Sequence, residues 1–175
     1  MRRLALAIAA AASFGSTASA QTPPHAPALS GLRFLIGRWT DGTGKVADTG
    51  GTSRGSSVIS TEVGGAVLLR RDHTDLFDAS GKAAGGFDQI MMIYPEGGSL
   101  HADYSDGVHI IHYRSAVVVP GQSVVFTSEA QPGSPVFKLS YALKAADTLD
   151  ISFAMAPPGQ TEFHAIATGA LHRAP

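Results

Sequence analysis

Phe137-Lys138-Leu139-Ser140-Tyr141-Ala142-Leu143-Lys144 and, a few residues on, Leu149-Asp150-Ile151-Ser152-Phe153-Ala154-Met155 decide the fold. In the first run Phe137, Leu139, Tyr141 and Leu143 alternate with Lys138, Ser140 and Lys144; in the second, Leu149, Ile151, Phe153 and Met155 alternate with Asp150 and Ser152. A strand with one dry and one wet face requires this period of two, because successive side chains leave on opposite sides.

Working outward, Gly and Pro punctuate the chain at Gly50-Gly51, Gly64-Gly65, Gly85-Gly86, Pro95-Glu96-Gly97-Gly98, Asp106-Gly107, Pro120-Gly121, Pro132-Gly133 and Pro157-Pro158-Gly159. Turns this frequent leave room for strands, expected near 38–45, 52–62, 66–76, 87–94, 99–105, 108–118, 123–129, 136–144, 148–156 and 163–173. One short N-terminal helix is expected over Leu29 to Ile36, with Ser30 as N-cap and Leu32, Leu35 and Ile36 on one side. Ten strands in an open sheet would leave two edges, whereas closure pairs every backbone group. The fold expected is therefore all-β, a ten-stranded antiparallel up-and-down β-barrel, wide enough to hold an internal cavity.

The chain has 175 residues, 15% of them charged, with a formal net charge of −1 and no Cys. With no basic block, a nucleic-acid partner is not expected. Without Cys there are no disulfides, thiolate nucleophiles or Cys-ligated metals. Arg2-Arg3, the apolar run Leu4 to Ala12 and Ala18-Ser19-Ala20 read as a signal peptide over residues 1–20 with cleavage before Gln21. A Pro-rich linker over 21–28 and a barrel domain over 29–175 follow, and no later segment is apolar enough to insert stably in a membrane as a helix. The expected location is the periplasm or the outside of the cell.

Phe34-Leu35-Ile36-Gly37-Arg38-Trp39, then Gly42-Thr43-Gly44, places a helix, a tight glycine and the only Trp at the entrance of the first strand. This resembles the Gly-x-Trp signature of the calycins, the superfamily of lipocalins and fatty-acid-binding proteins. The resemblance implies that Trp39 seals one end of the barrel and that Arg173, from the last strand, covers its ring, so that Gly37, Trp39 and Arg173 are structural. It also extends to the nitrobindin-like heme-binding barrels and to an uncharacterised lipocalin-like family. The nitrobindin likeness implies ferric heme on a late histidine, here His164 with His172 as the other available position.

Other chemistry is sparse. Gly51-Thr52-Ser53-Arg54-Gly55 has the letters of a nucleophile elbow, but Ser56-Ser57-Val58-Ile59 continues as a strand where the elbow needs a helix. His109 and His112 have an odd spacing and fall on opposite faces, while His164 and His172 share a face but lie roughly 26 Å apart along a strand. No local histidine pair therefore makes a metal site, which leaves an assembly of His73, His101 and His109. Asp103-Tyr104-Ser105-Asp106-Gly107 ends a strand in a hairpin, and the cluster Arg70-Arg71-Asp72-His73 reads as a solvated ion-pair end, or as one that turns Arg71 inward toward a carboxylate.

The expected function is binding of a small apolar or amphipathic molecule in the barrel, with no chemistry and no cofactor of its own. Met92, Tyr104, His109, Tyr113, Phe137, Tyr141 and Phe153 are the candidate lining, since pockets place a few polar groups in an apolar wall. Two other readings stand beside it, heme on His164 and a calycin-like isomerase or cyclase using Tyr and His. The parity of Phe163, Ala165, Ala167 and Leu171 predicts that His164 points outward. For the sixth strand the sequence leaves both faces open, His109, Ile111 and Tyr113 against Ile110, His112 and Arg114.

Overall fold

A computed structural model describes residues 27–175. The segment expected to be a signal peptide and most of the expected Pro-rich linker lie outside the described residues. Ten strands form one closed antiparallel barrel in which each strand pairs with its sequence neighbours and the last pairs with the first. They are β1 Gly37–Val46, β2 Gly51–Glu62, β3 Val67–Phe77, β4 Ala83–Glu96, β5 Ser99–Ser105, β6 Ile110–Val119, β7 Ser123–Ser128, β8 Val136–Ala145, β9 Thr148–Ala156 and β10 His164–Arg173.

The largest shift from the sequence reading is at β4, which begins at Ala83 although Gly85-Gly86 looked like a turn. The reversal is made earlier, by Asp78, whose Oδ1 accepts from the backbone N–H of Ser80 at 2.9 Å and of Lys82 at 3.0 Å. The expected helix over Leu29 to Ile36 is corrected to two separate turns. These are α1, Pro27–Ser30, and a single 3-10 turn, Arg33–Leu35. Ser30 therefore ends a helical turn and is not an N-cap. The break lets the Gly31 carbonyl accept from Gly121 N at 2.9 Å while Leu29, Leu32 and Leu35 are all buried in the barrel mouth.

That mouth is the closed end. Trp39 is fully buried, and its indole N–H donates to the Leu35 carbonyl at 2.8 Å. Arg173, directly opposite Trp39 in the β1–β10 register, holds its guanidinium 4.2 Å from the indole centre. It also donates to the carbonyls of Ile36 at 2.9 Å and Phe34 at 3.0 Å, which ties the lid to the last strand. Gly37 makes the passage possible: its φ is +137°, and a Cβ there would lie 2.8 Å from Arg173 Nη1. Beneath the lid, Leu68, Ile93, Leu100, Ala102, Val124, Phe126 and Leu149 fill the barrel as a packed apolar core.

Candidate functional site

Halfway along the barrel the interior becomes polar. On β3 the buried Leu68 sets the parity, so Arg70, Asp72 and Thr74 face the lumen while Arg71 and His73 are exposed outside. This corrects both sequence readings of the cluster, the solvated ion-pair end and the alternative that turned Arg71 inward. Arg70 lies on the strand diametrically opposite β8 and spans the lumen: Nη1 donates to the Tyr141 hydroxyl and touches Met91 Sδ at 3.6 Å. Its Nε donates to Asp72 Oδ2 at 2.6 Å, Nη2 forms an ion pair with the same oxygen, and Nη2 also donates to Gln89 Oε1 at 3.0 Å. Gln89 in turn donates to Thr74 Oγ1 at 3.0 Å.

Burial by itself lowers the Arg70 pKa, but Asp72 and Tyr141 more than reverse this, so the guanidinium stays charged well above its ordinary range. Burial pushes the Tyr141 hydroxyl up to about 12 despite the opposing pull of Arg70. Burial likewise raises the Tyr104 and Tyr113 hydroxyls, with Asp106 adding to the effect at Tyr104.

This bridge forms the floor of a cavity of about 440 Å³ in the open half of the barrel. One wall is almost bare backbone, with Gly42 and Gly44 of β1, Gly55 of β2 and Gly169 of β10. A Cβ at Gly169 would meet Thr43 O at 2.8 Å, so close strand approach excludes a side chain there. The facing wall carries Phe87, Tyr104, Tyr113, Leu139, Ile151 and Phe153. At the rim Asp106 accepts from the backbone N–H groups of Val108 at 2.9 Å and His109 at 2.6 Å, and its other oxygen lies 3.0 Å from the His109 ring. A larger hollow of about 720 Å³, lined by Lys45, Arg54, Lys144 and Asp150 among others, is an open saddle on the outer surface of β1, β2 and β8 to β10 and not an enclosure.

Of the residues singled out from the sequence, Tyr104, His109, Tyr113 and Phe153 line the cavity. Tyr141 holds its floor, and Phe137 stacks on Phe153 with ring centres 5.5 Å apart. On β6 the lumen takes Ile111 and Tyr113, while Ile110 and His112 are exposed and Arg114 pairs outside with Asp103. Met92 is a correction: it shares the outer face with Leu69 and is 41% exposed, whereas its neighbour Met91 is fully buried under Arg70.

The parity argument for β10 is corrected too. A bulge between Ala165 and Ala167 shifts the alternation, so Phe163 lies outside under the Lys138 ammonium, 3.7 Å from its ring centre, and His164 pairs with Met155. His164 is nevertheless exposed and is not among the residues lining the cavity. The residues present therefore do not fit a heme held through His164. His73 contacts Asp88 and Asp75 on the outer face, His101 lies beside Tyr94, and His109 sits at the rim, so these three histidines do not converge.

The floor was missed because Leu68 to His73 reads as a surface charge run. The signal available was parity, since counting in twos from Leu68 selects Arg70 and Asp72.

Fold and site together define a closed ten-stranded antiparallel barrel, sealed at one end and hollow over a buried polar floor. No family model matches the chain, and no curated protein matches it. Among solved structures it is similar to one described as EF1p2_mFAP2b bound to DFHBI, at 11% identity, over 84% of this chain and 99% of that one, with a TM-score of 0.44.

Proposed function

We propose that the protein is a calycin-like carrier that takes up one small, mainly apolar molecule through the open end of the barrel. The observation that carries this reading is the cavity of about 440 Å³ above the Arg70–Asp72–Tyr141 floor, within the size range of small-ligand sites. Its apolar wall supplies binding by burial, at roughly 25 cal/mol for each Å² removed from water. The lid built from Gly37, Trp39 and Arg173 supports the calycin likeness, because it is the arrangement that the resemblance implies. The raised tyrosine hydroxyls stay protonated near neutrality, so in the cavity they act as hydrogen-bonding groups and not as bases. Export belongs to the same proposal, and intact-mass analysis of periplasmic protein should find Gln21 at its N-terminus.

The binding test uses the neutral dye Nile red, whose emission rises in apolar surroundings. Wild-type protein should bind it at one site. Ala167→Trp, which fills the lumen beside Phe153, should weaken binding by about ten-fold or more, equivalent to about 1.4 kcal/mol, with an unchanged far-ultraviolet spectrum. Equal binding by both proteins would place the dye outside the barrel and remove the carrier reading.

A further inference from the structure

We infer that the cavity selects a ligand whose inner end is an uncharged hydrogen-bond donor, an alcohol or a phenol, over one ending in a carboxylate. The inference rests on the carrier reading and adds the chemistry of the head group.

At the floor the donors of Arg70 are already directed at Asp72, Gln89, Tyr141 and Met91. Its charge is balanced by Asp72, and Gln89 uses its oxygen on Arg70 and its nitrogen on Thr74. The charged oxygen left without a partner is an acceptor. The Asp72 side chain lines the cavity and is 10% exposed, and its Oδ1 is buried with no hydrogen-bond partner among the described residues. Directly across the β2–β3 pairing stands Ser57, whose Oγ is also buried and unpartnered.

A buried carboxylate oxygen without a donor is costly, so a group able to donate to it gains more than burial alone supplies. A hydroxyl can donate to the Asp72 carboxylate, whose side chain lines the cavity, and accept from the cavity tyrosines Tyr104 or Tyr113. A carboxylate brings acceptors only, and a second negative charge beside Asp72. The floor thus matches the hydroxyl and opposes the anion, although a buried arginine at first sight promises the reverse.

Three competitors with similar ten-carbon chains separate these cases against bound Nile red near neutral pH: 1-decanol, which donates; methyl decanoate, which only accepts; and decanoate, which is anionic. Decanol should displace the dye at about one-tenth or less of the concentration that either of the others needs. Asp72→Asn removes the charge facing Arg70, so decanoate should gain about ten-fold relative to decanol. Absence of Nile red binding would defeat the carrier reading itself. With dye bound, decanoate or the ester competing as well as decanol, or no competitor displacing the dye, would overturn the head-group inference and leave the cavity standing. If Asp72→Asn fails to fold, the wild-type ranking alone decides.

Discussion

Arg70 on β3 and Tyr141 on β8 face each other across the full width of the barrel and are joined by a hydrogen bond through its centre. This contact divides the interior into a packed half under Trp39 and a hollow half open to the loops.

Because Arg70 and Asp72 are buried as a pair, removing one should hurt more than removing both. Arg70→Met or Asp72→Leu alone is expected to cost about 3–5 kcal/mol, while the two together should return to within about 1 kcal/mol of wild type. Urea unfolding of the two single variants and the double variant checks this. A double variant as unstable as the sum of the singles would mean that the two residues do not act as a pair.

Arg173→Ala removes both the cover of Trp39 and the two bonds to the Phe34 and Ile36 carbonyls. A loss of about 2–3 kcal/mol is expected, with a red shift of tryptophan emission, and Trp39 is the only Trp of the chain. Gly37→Ala should reproduce the red shift, since its Cβ would displace the same guanidinium. Unchanged emission in both variants would contradict the lid geometry.

Val63, in the turn between β2 and β3, has a φ of +51° and is 74% exposed. A β-branched residue is strained there, so Val63→Gly should stabilise the protein by about 1 kcal/mol. A lower midpoint in thermal unfolding would show that this turn draws on contacts of the valine.

Burial alone would raise the Asp106 pKa, but the His109 backbone and ring and the Val108 N–H outweigh it and hold the carboxylate at about 2, below its ordinary 3.8. The folded value is the lower one, so the stabilisation is complete above about pH 4 and is lost as pH falls toward 2. Asp78 and Asp103, also lowered, act in the same direction. Asp106→Asn should therefore flatten part of the stability loss between about pH 4 and 2, measured as urea midpoints across that range. A profile parallel to wild type would refute the assignment.

The ten strands were legible because each is bounded by turn residues and the clearest, β8 and β9, alternate without interruption. The site was legible only in part. Tyr104, Tyr113 and Phe153 follow from alternation, but Met91 and Met92 are chemically alike, and only register decides which is inside. The β10 bulge inserts a residue that no local composition announces, and it reversed the reading of Phe163, while His164 is exposed as expected. The identical neighbours Arg70 and Arg71 posed the same difficulty as the two methionines, with the added bias that charge near charge looks solvated.

The pairing of Trp39 with Arg173 also sets a schedule. The hydrogen bonds from Arg173 to Ile36 and Phe34 join residues 137 and 139 positions apart, so the lid is among the last parts of the molecule able to form. Until β10 has left the ribosome, β1 has no second partner, the indole has no cover, and the growing chain is at most an open, unlatched sheet. Closure of the barrel is thereby tied to synthesis of its tenth strand.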